Sequence, residues 1–399
     1  MIVAVAMTTF AGQAAGQEPG TRVDASRGGV TIASGHNSLT LGARMQFRWT
    51  LDDRDRADAD TAGTGVGRED GVISQFDVPR MRVTLGGGVY QPWLRYSFQF
   101  DFSRTGGAGA SKIKDAIIEI RPVGRDYRFQ MGQFKAPFGL QQLVSSGKLQ
   151  FVERAITDAK FTPMRDMGVM LAGTAAGEVV GYNLGLFNGS GESLLQNTQS
   201  HLWAGRVFLN PLGVYALSES AVGAAPRPLL HLGAGVRGGK QVRGRTATGV
   251  VQEADNQTAA NVEFAFRHQR LSSTAEYFWM TEEQQNPVVG PDLTSRGFHA
   301  QAGYMVVPRT TELAVRYAAV TADTSAREST VYEVRAVAGY FWHEHNLKLQ
   351  ADVGQLRYEA AYGALSPRAR AGMPSLGTRL VSGQRLADTQ IRVQMQVSF

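Results

Sequence analysis

Alternation with a period of two runs through most of the chain. At the carboxyl end Ile391, Val393, Met395, Val397 and Phe399 alternate with Arg392, Gln394, Gln396 and Ser398, so one face is apolar and the other polar. The same pattern sets Met45, Phe47 and Trp49 against Arg44, Gln46 and Arg48, and Met81, Val83 and Leu85 against Arg80, Arg82 and Thr84. It returns where Leu94, Tyr96, Phe98, Phe100 and Phe102 oppose Arg95, Ser97, Gln99 and Asp101. Successive strand side chains point to opposite faces, so each run predicts a strand with one apolar face. Such runs occupy 39–49, 76–87, 93–102, 113–121, 127–134, 167–175, 179–188, 201–209, 229–238, 260–268, 271–280, 297–306, 311–320, 331–342, 346–358 and 390–399. The count is sixteen, and an even count returns the carboxyl end to the side where the amino end began, as a single-chain outer-membrane barrel requires. Short links at 123–126, 269, 307–310 and 343–345 alternate with long ones at 50–75, 135–166, 239–259, 281–296 and 359–389. Barrels of this kind place short turns at one rim and long loops at the other. The link at 210–228 is long where a turn is due, and only a periplasmic or domain-like excursion accounts for it.

Composition narrows the class further. Across 399 residues, hydrophobic residues make up 43% and charged residues 19%, yet no apolar run reaches the length of a spanning helix. The expected fold is therefore all-β: a sixteen-stranded antiparallel transmembrane β-barrel, with an inward-folded constriction loop expected from the resemblance described below. All five tryptophans, Trp49, Trp93, Trp203, Trp279 and Trp342, fall in or at the ends of the strands, as interfacial girdles require. Cysteine is absent, which removes the disulfide-scaffold class. Residues 1–16 are apolar or small and read as a signal peptide without its basic start, followed by a periplasmic segment at 17–37 and the barrel at 38–399. The net charge of +6 and pI near 9.5 fit nucleic acid, anionic lipid or an anion path, and the inward placement of the arginines selects the last.

From Ser38 to about Leu209 the chain resembles the phosphate-selective porin O/P family. The resemblance rests on Leu41-Gly42-Ala43-Arg44-Met45-Gln46, Pro79-Arg80-Met81-Arg82, Tyr90-Gln91-Pro92-Trp93, Phe100-Asp101-Phe102-Ser103 and Ile113-Lys114-Asp115-Ala116. It continues through Gly132-Gln133-Phe134-Lys135-Ala136-Pro137-Phe138-Gly139-Leu140, Ser145-Ser146-Gly147-Lys148, Glu153-Arg154 and Gly185-Leu186-Phe187-Asn188-Gly189. It implies a trimeric outer-membrane porin with loops folded into the lumen and arginines along the path of phosphate. The chain departs from the family at Pro79-Arg80, where members often carry paired arginines, so anion preference is better supported than phosphate specificity.

The residues expected to line the anion path fall in three groups. Arg44, Arg48, Arg80, Arg82 and Arg95 lie on the polar strand face, since a cation facing lipid near the midplane costs about 2–4 kcal/mol. Lys135, Lys148, Arg154 and Arg165 belong to the segment resembling the family's constriction loop, with Lys160 beside them and Glu153, Asp158 and Asp166 as partial balance. Arg237, Lys240, Arg243 and Arg245 follow the ninth strand, where the family carries basic residues into the vestibule. In the second group salt-bridged struts, and in the third an exposed lipopolysaccharide-facing loop, are the competing structural explanations.

Other signals are weaker. Gly233-Ala234-Gly235-Val236-Arg237-Gly238 matches a dinucleotide fingerprint but sits on an alternating strand with no helix after it. Asp52, Asp53, Asp55, Asp58 and Asp60 lack the glycine and closing glutamate of a calcium loop, and His343-Glu344-His345 reads as a polar turn. No hydrolase elbow, zinc helix or phosphate-binding loop occurs, so no catalytic residue, metal, cofactor or nucleic-acid partner is expected. Three readings stay open: an anion-selective porin for small anions such as phosphate, a general or carbohydrate porin, and a structural barrel that scaffolds partners. Lipid, lipopolysaccharide and two further copies of the chain are the expected neighbours.

Overall fold

The inward and outward faces read from the alternation become two environments in the computed structural model, which describes residues 20–25, 29–55, 71–103, 112–194, 200–245, 251–286, 291–377, 379 and 383–399. Two short strands, β1 (Thr21–Asp24) and β2 (Val30–Ser34), precede the wall. The wall consists of β3 (Asn37–Arg54), β4 (Val72–Val89), β5 (Gln91–Asp101), β6 (Lys112–Ile120), β7 (Tyr127–Lys135), β8 (Arg165–Ala175), β9 (Val180–Phe187) and β10 (Leu202–Leu209). It continues through β11 (Leu229–Arg245), β12 (Val251–His268), β13 (Leu271–Asn286), β14 (Leu293–Val307), β15 (Thr311–Thr321), β16 (Thr330–His343), β17 (Leu347–Tyr358) and β18 (Leu386–Ser398). Every neighbour pairs antiparallel, and β18 closes on β3 from Asp388↔Arg54 to Ser398↔Arg44. Closure pairs the strand edges with each other, the condition for a sheet in hydrocarbon.

All sixteen expected strands are present. The expected bounds fall short mainly at the outer ends, where β11 to β14 rise beyond the apolar belt and polar residues interrupt the alternation. At the opposite rim, β2 takes up the edge of β3 below the point where β18 ends, with Ala43 and Phe399 exchanging backbone hydrogen bonds of 2.9 and 3.0 Å. Between β3 and β4 the register slips from Gln46↔Arg80 to Arg48↔Asp77. Pro79, which has no N–H to give the ladder, sits in this bulge. The bulge turns both Asp77 and Arg80 inward.

The lipid face carries Trp93 and Trp342 near the inner rim and Trp203 and Trp279 nearer the outer one, the two belts the sequence implied. Inside, the lumen is filled by loops. The loop at 136–164, with α1 (Leu140–Leu143) and α2 (Ile156–Phe161), folds inward against β11 to β17. Its aromatic contacts are Phe161 stacked on Phe278 at 5.2 Å and Phe138 beside the same ring at 6.1 Å. From above, the loop at 359–385 packs Tyr362 and Leu376 with Tyr358 and Leu386, and places α3 (Pro367–Arg370) beside α2. From below, the 210–228 turn enters the barrel rather than leaving it: Ala221 and Val222 pack on Met305 and Phe341, and Tyr215 packs on Leu140 and Ala265. That turn is the long connection for which the alternation offered only a periplasmic excursion.

Candidate ion path

A loop entering a barrel carries backbone N–H and C=O groups that need partners. Charged side chains of the far wall supply them. Glu276 on β13 accepts from the backbone N–H groups of Leu140 and Gln141 at 2.6 and 2.8 Å. Glu219 of the 210–228 turn accepts from Gln141 Nε2 and from the Gln150 N–H, both at 2.8 Å. Lys348 on β17 donates to the Leu149 carbonyl at 2.9 Å, and Arg316 on β15 donates to the Glu153 carbonyl at 2.9 Å while lying 4.4 Å over the Phe151 ring. The inner loop is thereby pressed to the β11–β17 side. Its other side faces β3, β4 and β18, whose side chains it meets.

On that side the alternation and the register bring the arginines together. Arg44 and Arg82 are direct cross-strand neighbours, and Arg80 lies opposite Gln46. Arg82 Nε donates to Asp101 at 2.8 Å, and its NH1 donates to Ser146 Oγ of the inner loop at 3.2 Å. Arg165, at the start of β8, grips Asp115 with two donors at 2.9 and 3.1 Å. Arg80 takes both oxygens of Glu153, at 3.1 and 2.6 Å, while Arg48 bridges Glu153 at 2.7 Å and Asp77 at 3.1 Å. Burial alone pushes the Glu153 carboxyl up, but Arg80 and Arg48 outweigh it and hold that carboxyl well below the usual range. Arg392 on β18 lies beside this cluster and shares Asp352, at 2.8 Å, with Arg335 on β16.

Arg44 differs from its neighbours. It donates to Ser145 Oγ at 3.0 Å and Ser146 Oγ at 3.2 Å and forms no ion pair among the described residues. Gly147 makes room for it, since a Cβ there would sit 2.3 Å from Arg44 NH1. Beyond it Lys148 is exposed on the inner loop, and towards the inner rim Arg95 is exposed on β5, neither with an ion pair among the described residues. Below the constriction a cleft of about 580 Å³ is lined by Arg95, Ser97, Glu119, Arg121 and Gln130, and Glu119 is already held by Arg121 at 2.6 Å. Cations without a carboxylate among the described residues therefore stand at Arg44 and on its inner-rim side, where Lys148 adjoins Glu219 of the 210–228 turn and low-dielectric walls focus their field.

The profile of the phosphate-selective porin O and P family matches residues 50–372. The chain belongs to that family. It is an outer-membrane anion channel, and its architecture is that of channels rather than enzymes. Among solved structures, the anion-selective porin from Comamonas acidovorans is 12% identical, with a TM-score of 0.60 over 90% of this chain and 99% of that one. The channel DcaP of Acinetobacter baumannii is 11% identical, with a TM-score of 0.54 over 90% and 97% of the two chains. OmpT of Vibrio cholerae is 11% identical, with a TM-score of 0.52 over 92% and 99%. At this identity the likeness is one of fold. No curated protein sequence matches the chain.

In this porin the expected basic residues divide. Arg44, Arg48, Arg80, Arg82 and Arg165 gather beside the inner loop, and Arg95 and Lys148 lie on its inner-rim side. Lys135 and Arg154 instead serve the loop itself. Lys135 Nζ donates to the carbonyls of Gln142 and Val144 at 2.6 and 3.0 Å, and Arg154 donates to those of Gln141 and Val144 at 3.0 and 2.7 Å. Both satisfy carbonyls in and just beyond α1. Arg237 is a wall strut too, donating to the Phe161 carbonyl at 3.0 Å. The stretch around it is strand β11, not the loop expected after the ninth strand, because small residues with Val236 and Val242 keep the extended pattern. Lys240 is half-buried on that strand, and the side chains of Arg243 and Arg245 lie outside the described residues, as do Asp58, Asp60 and residues 1–16. Sequence reasoning put Arg392 on a polar face without assigning it to the site. It missed Gln46, Glu219 and Glu276, whose roles depend on where the loop lands.

Proposed function

We propose that the channel passes small anions, phosphate among them, through the gap between the inner loop and the β3–β6 wall, with Arg44, Arg48, Arg80 and Arg82 lining its narrow point. The observation that carries this reading is Arg44: a guanidinium beside the inner loop whose hydrogen bonds among the described residues go only to hydroxyls, next to three others already sharing Asp77, Asp101 and Glu153. A guanidinium replaces hydration lost by a passing oxyanion, and because each contact is weak the ion can leave. Arg165 holds the adjoining wall, and Lys148 and Arg95 gather ions at the inner-rim approach. Export by a cleaved leader within residues 1–16, assembly as a trimer and contact with lipopolysaccharide belong to the same reading. Ala300 and Ala302, exposed on β14, offer a small-residue face for packing against another barrel. Reconstitution in planar bilayers tests it: in a tenfold KCl gradient around 0.1 M the reversal potential should have the anion-selective sign, and added phosphate should reduce the chloride current. A cation-selective reversal potential refutes the reading.

A further inference from the structure

Glu153 sits where a permeating anion would sit. Its carboxylate fills the fork of Arg80 and takes a third guanidinium contact from Arg48. Arginine presents the same two-donor fork to carboxylate and to phosphate. The Glu153 side chain is 26% exposed and those of Arg48 and Arg80 are 11% and 12%, so the glutamate is the more accessible partner of the cluster. The backbone of Glu153 is fixed independently of its carboxylate. Arg316 holds its carbonyl, the Val152 N–H donates to Asp352 at 3.3 Å, and Phe151 is fully buried. The side chain can rotate away while the loop stays in place.

Building on the function proposed above, we propose that Glu153 is a tethered resident anion of the Arg48–Arg80 site, displaced by phosphate during permeation but not by chloride. The step is an exchange of non-covalent ligands: one oxyanion leaves the guanidinium fork as another enters, and no bond or proton is transferred. Phosphate offers two oxygens at the spacing the fork requires and more than one negative charge near neutral pH. Chloride is a single atom and cannot span both nitrogens of Arg80. A carboxylate on a short tether acts as a local concentration in the millimolar range or above, so only an oxyanion at comparable concentration competes. Its return then helps to expel the bound ion, which keeps a strong two-arginine site from trapping what it binds. Glu153 thus sets specificity.

Chloride current through single channels, with inorganic phosphate titrated in, reads the exchange directly. Glu153→Gln is expected to lower the half-blocking phosphate concentration by about tenfold, the loss of one charge-assisted competitor. Glu153→Asp keeps the charge but withdraws the carboxylate by one methylene, and should lower it by several-fold. Arg80→Ala should change phosphate block little in the wild type, where the fork is occupied, and should reverse the gain in the Glu153→Gln background. Wild-type behaviour of Glu153→Asp together with altered block in Glu153→Gln would reduce the effect to net charge and overturn the proposal. So would unchanged block in both variants of an anion-selective channel. A cation-selective wild type would instead overturn the anion-channel reading on which the proposal rests. Should Glu153→Gln fail to give the heat-modifiable folded barrel, Glu153→Asp alone decides.

Discussion

Arg44→Ala isolates the unpaired charge of the constriction. For an ion passing at about 6 Å, one unit charge contributes about 0.7 kcal/mol at a water-like dielectric and about 2.8 kcal/mol at an effective value of 20. Screening at about 0.1 M, with a Debye length near 10 Å, roughly halves these figures to about 0.4–1.5 kcal/mol. The anion loses that attraction while the cation loses the equal repulsion, so the anion-to-cation permeability ratio should fall at least about fourfold. Arg44 also gives up hydrogen bonds to Ser145 and Ser146, worth about 1 kcal/mol each. The anchors on Glu276, Glu219, Lys348 and Arg316 remain, so the inner loop should stay folded. The reversal potential in a tenfold KCl gradient is the assay, repeated near 1 M, where a Debye length of about 3 Å should shrink the difference between variant and wild type. An Arg44→Ala channel with the wild-type reversal potential at low salt refutes the assignment of the path to the β3–β6 side.

Other perturbations separate the path from its scaffold. Glu276→Ala strands two buried backbone N–H groups of α1 and should loosen the inner loop by about 2–4 kcal/mol, read as open-channel noise and as new protease cleavage within 136–164 of an intact barrel. Lys348→Met removes a buried cation that serves the Leu149 carbonyl, so it should raise the same noise while leaving the permeability ratio within about twofold of wild type. The Glu153 carboxyl is held below the ordinary carboxylate value of about 4.3, so its clamp is complete above that value and is lost only as pH falls through the lower folded value. The contribution of Glu153 to phosphate block should therefore be flat from about pH 8 to 5 and change only below about pH 4, while the loop backbone stays held by Arg316 and Asp352; a transition near pH 6 that disappears in Glu153→Gln would contradict the assignment.

Much of this architecture was legible because a barrel wall is a local pattern repeated. Period-two alternation marks each strand, an even count closes the ring, and the terminal Phe399 ends where Ala43 receives it. Arg44, Arg80 and Arg82 were legible for the same reason, since each sits on the polar face of an unambiguous run. The unread part is what fills the lumen. Nothing in the alternation of β13 distinguishes Glu276, which holds a loop, from an acid facing water, and nothing in 210–228 signals that Glu219 will meet Gln141 and Gln150. Pro79 is the intermediate case. Its presence in a strand announces a bulge, but only the register shift shows that the bulge aims Asp77 and Arg80 into the same space.

The packing of the inner loop also explains why so many charges face the lumen. An inward Glu, Lys or Arg on β13 to β17 meets a loop backbone and is consumed in satisfying it, as Glu276, Lys348 and Arg316 are. An inward Arg on β3 or β4 instead meets side chains, as Arg44 meets Ser145 and Ser146 and Arg80 meets Glu153. The same residue type on the same polar face thus holds loop backbone on one side and, in the path proposed above, serves permeation on the other. The loop at 359–385 and the 210–228 turn pack their apolar residues mainly on the β10–β18 arc, which leaves the proposed path to the arginines of β3 and β4.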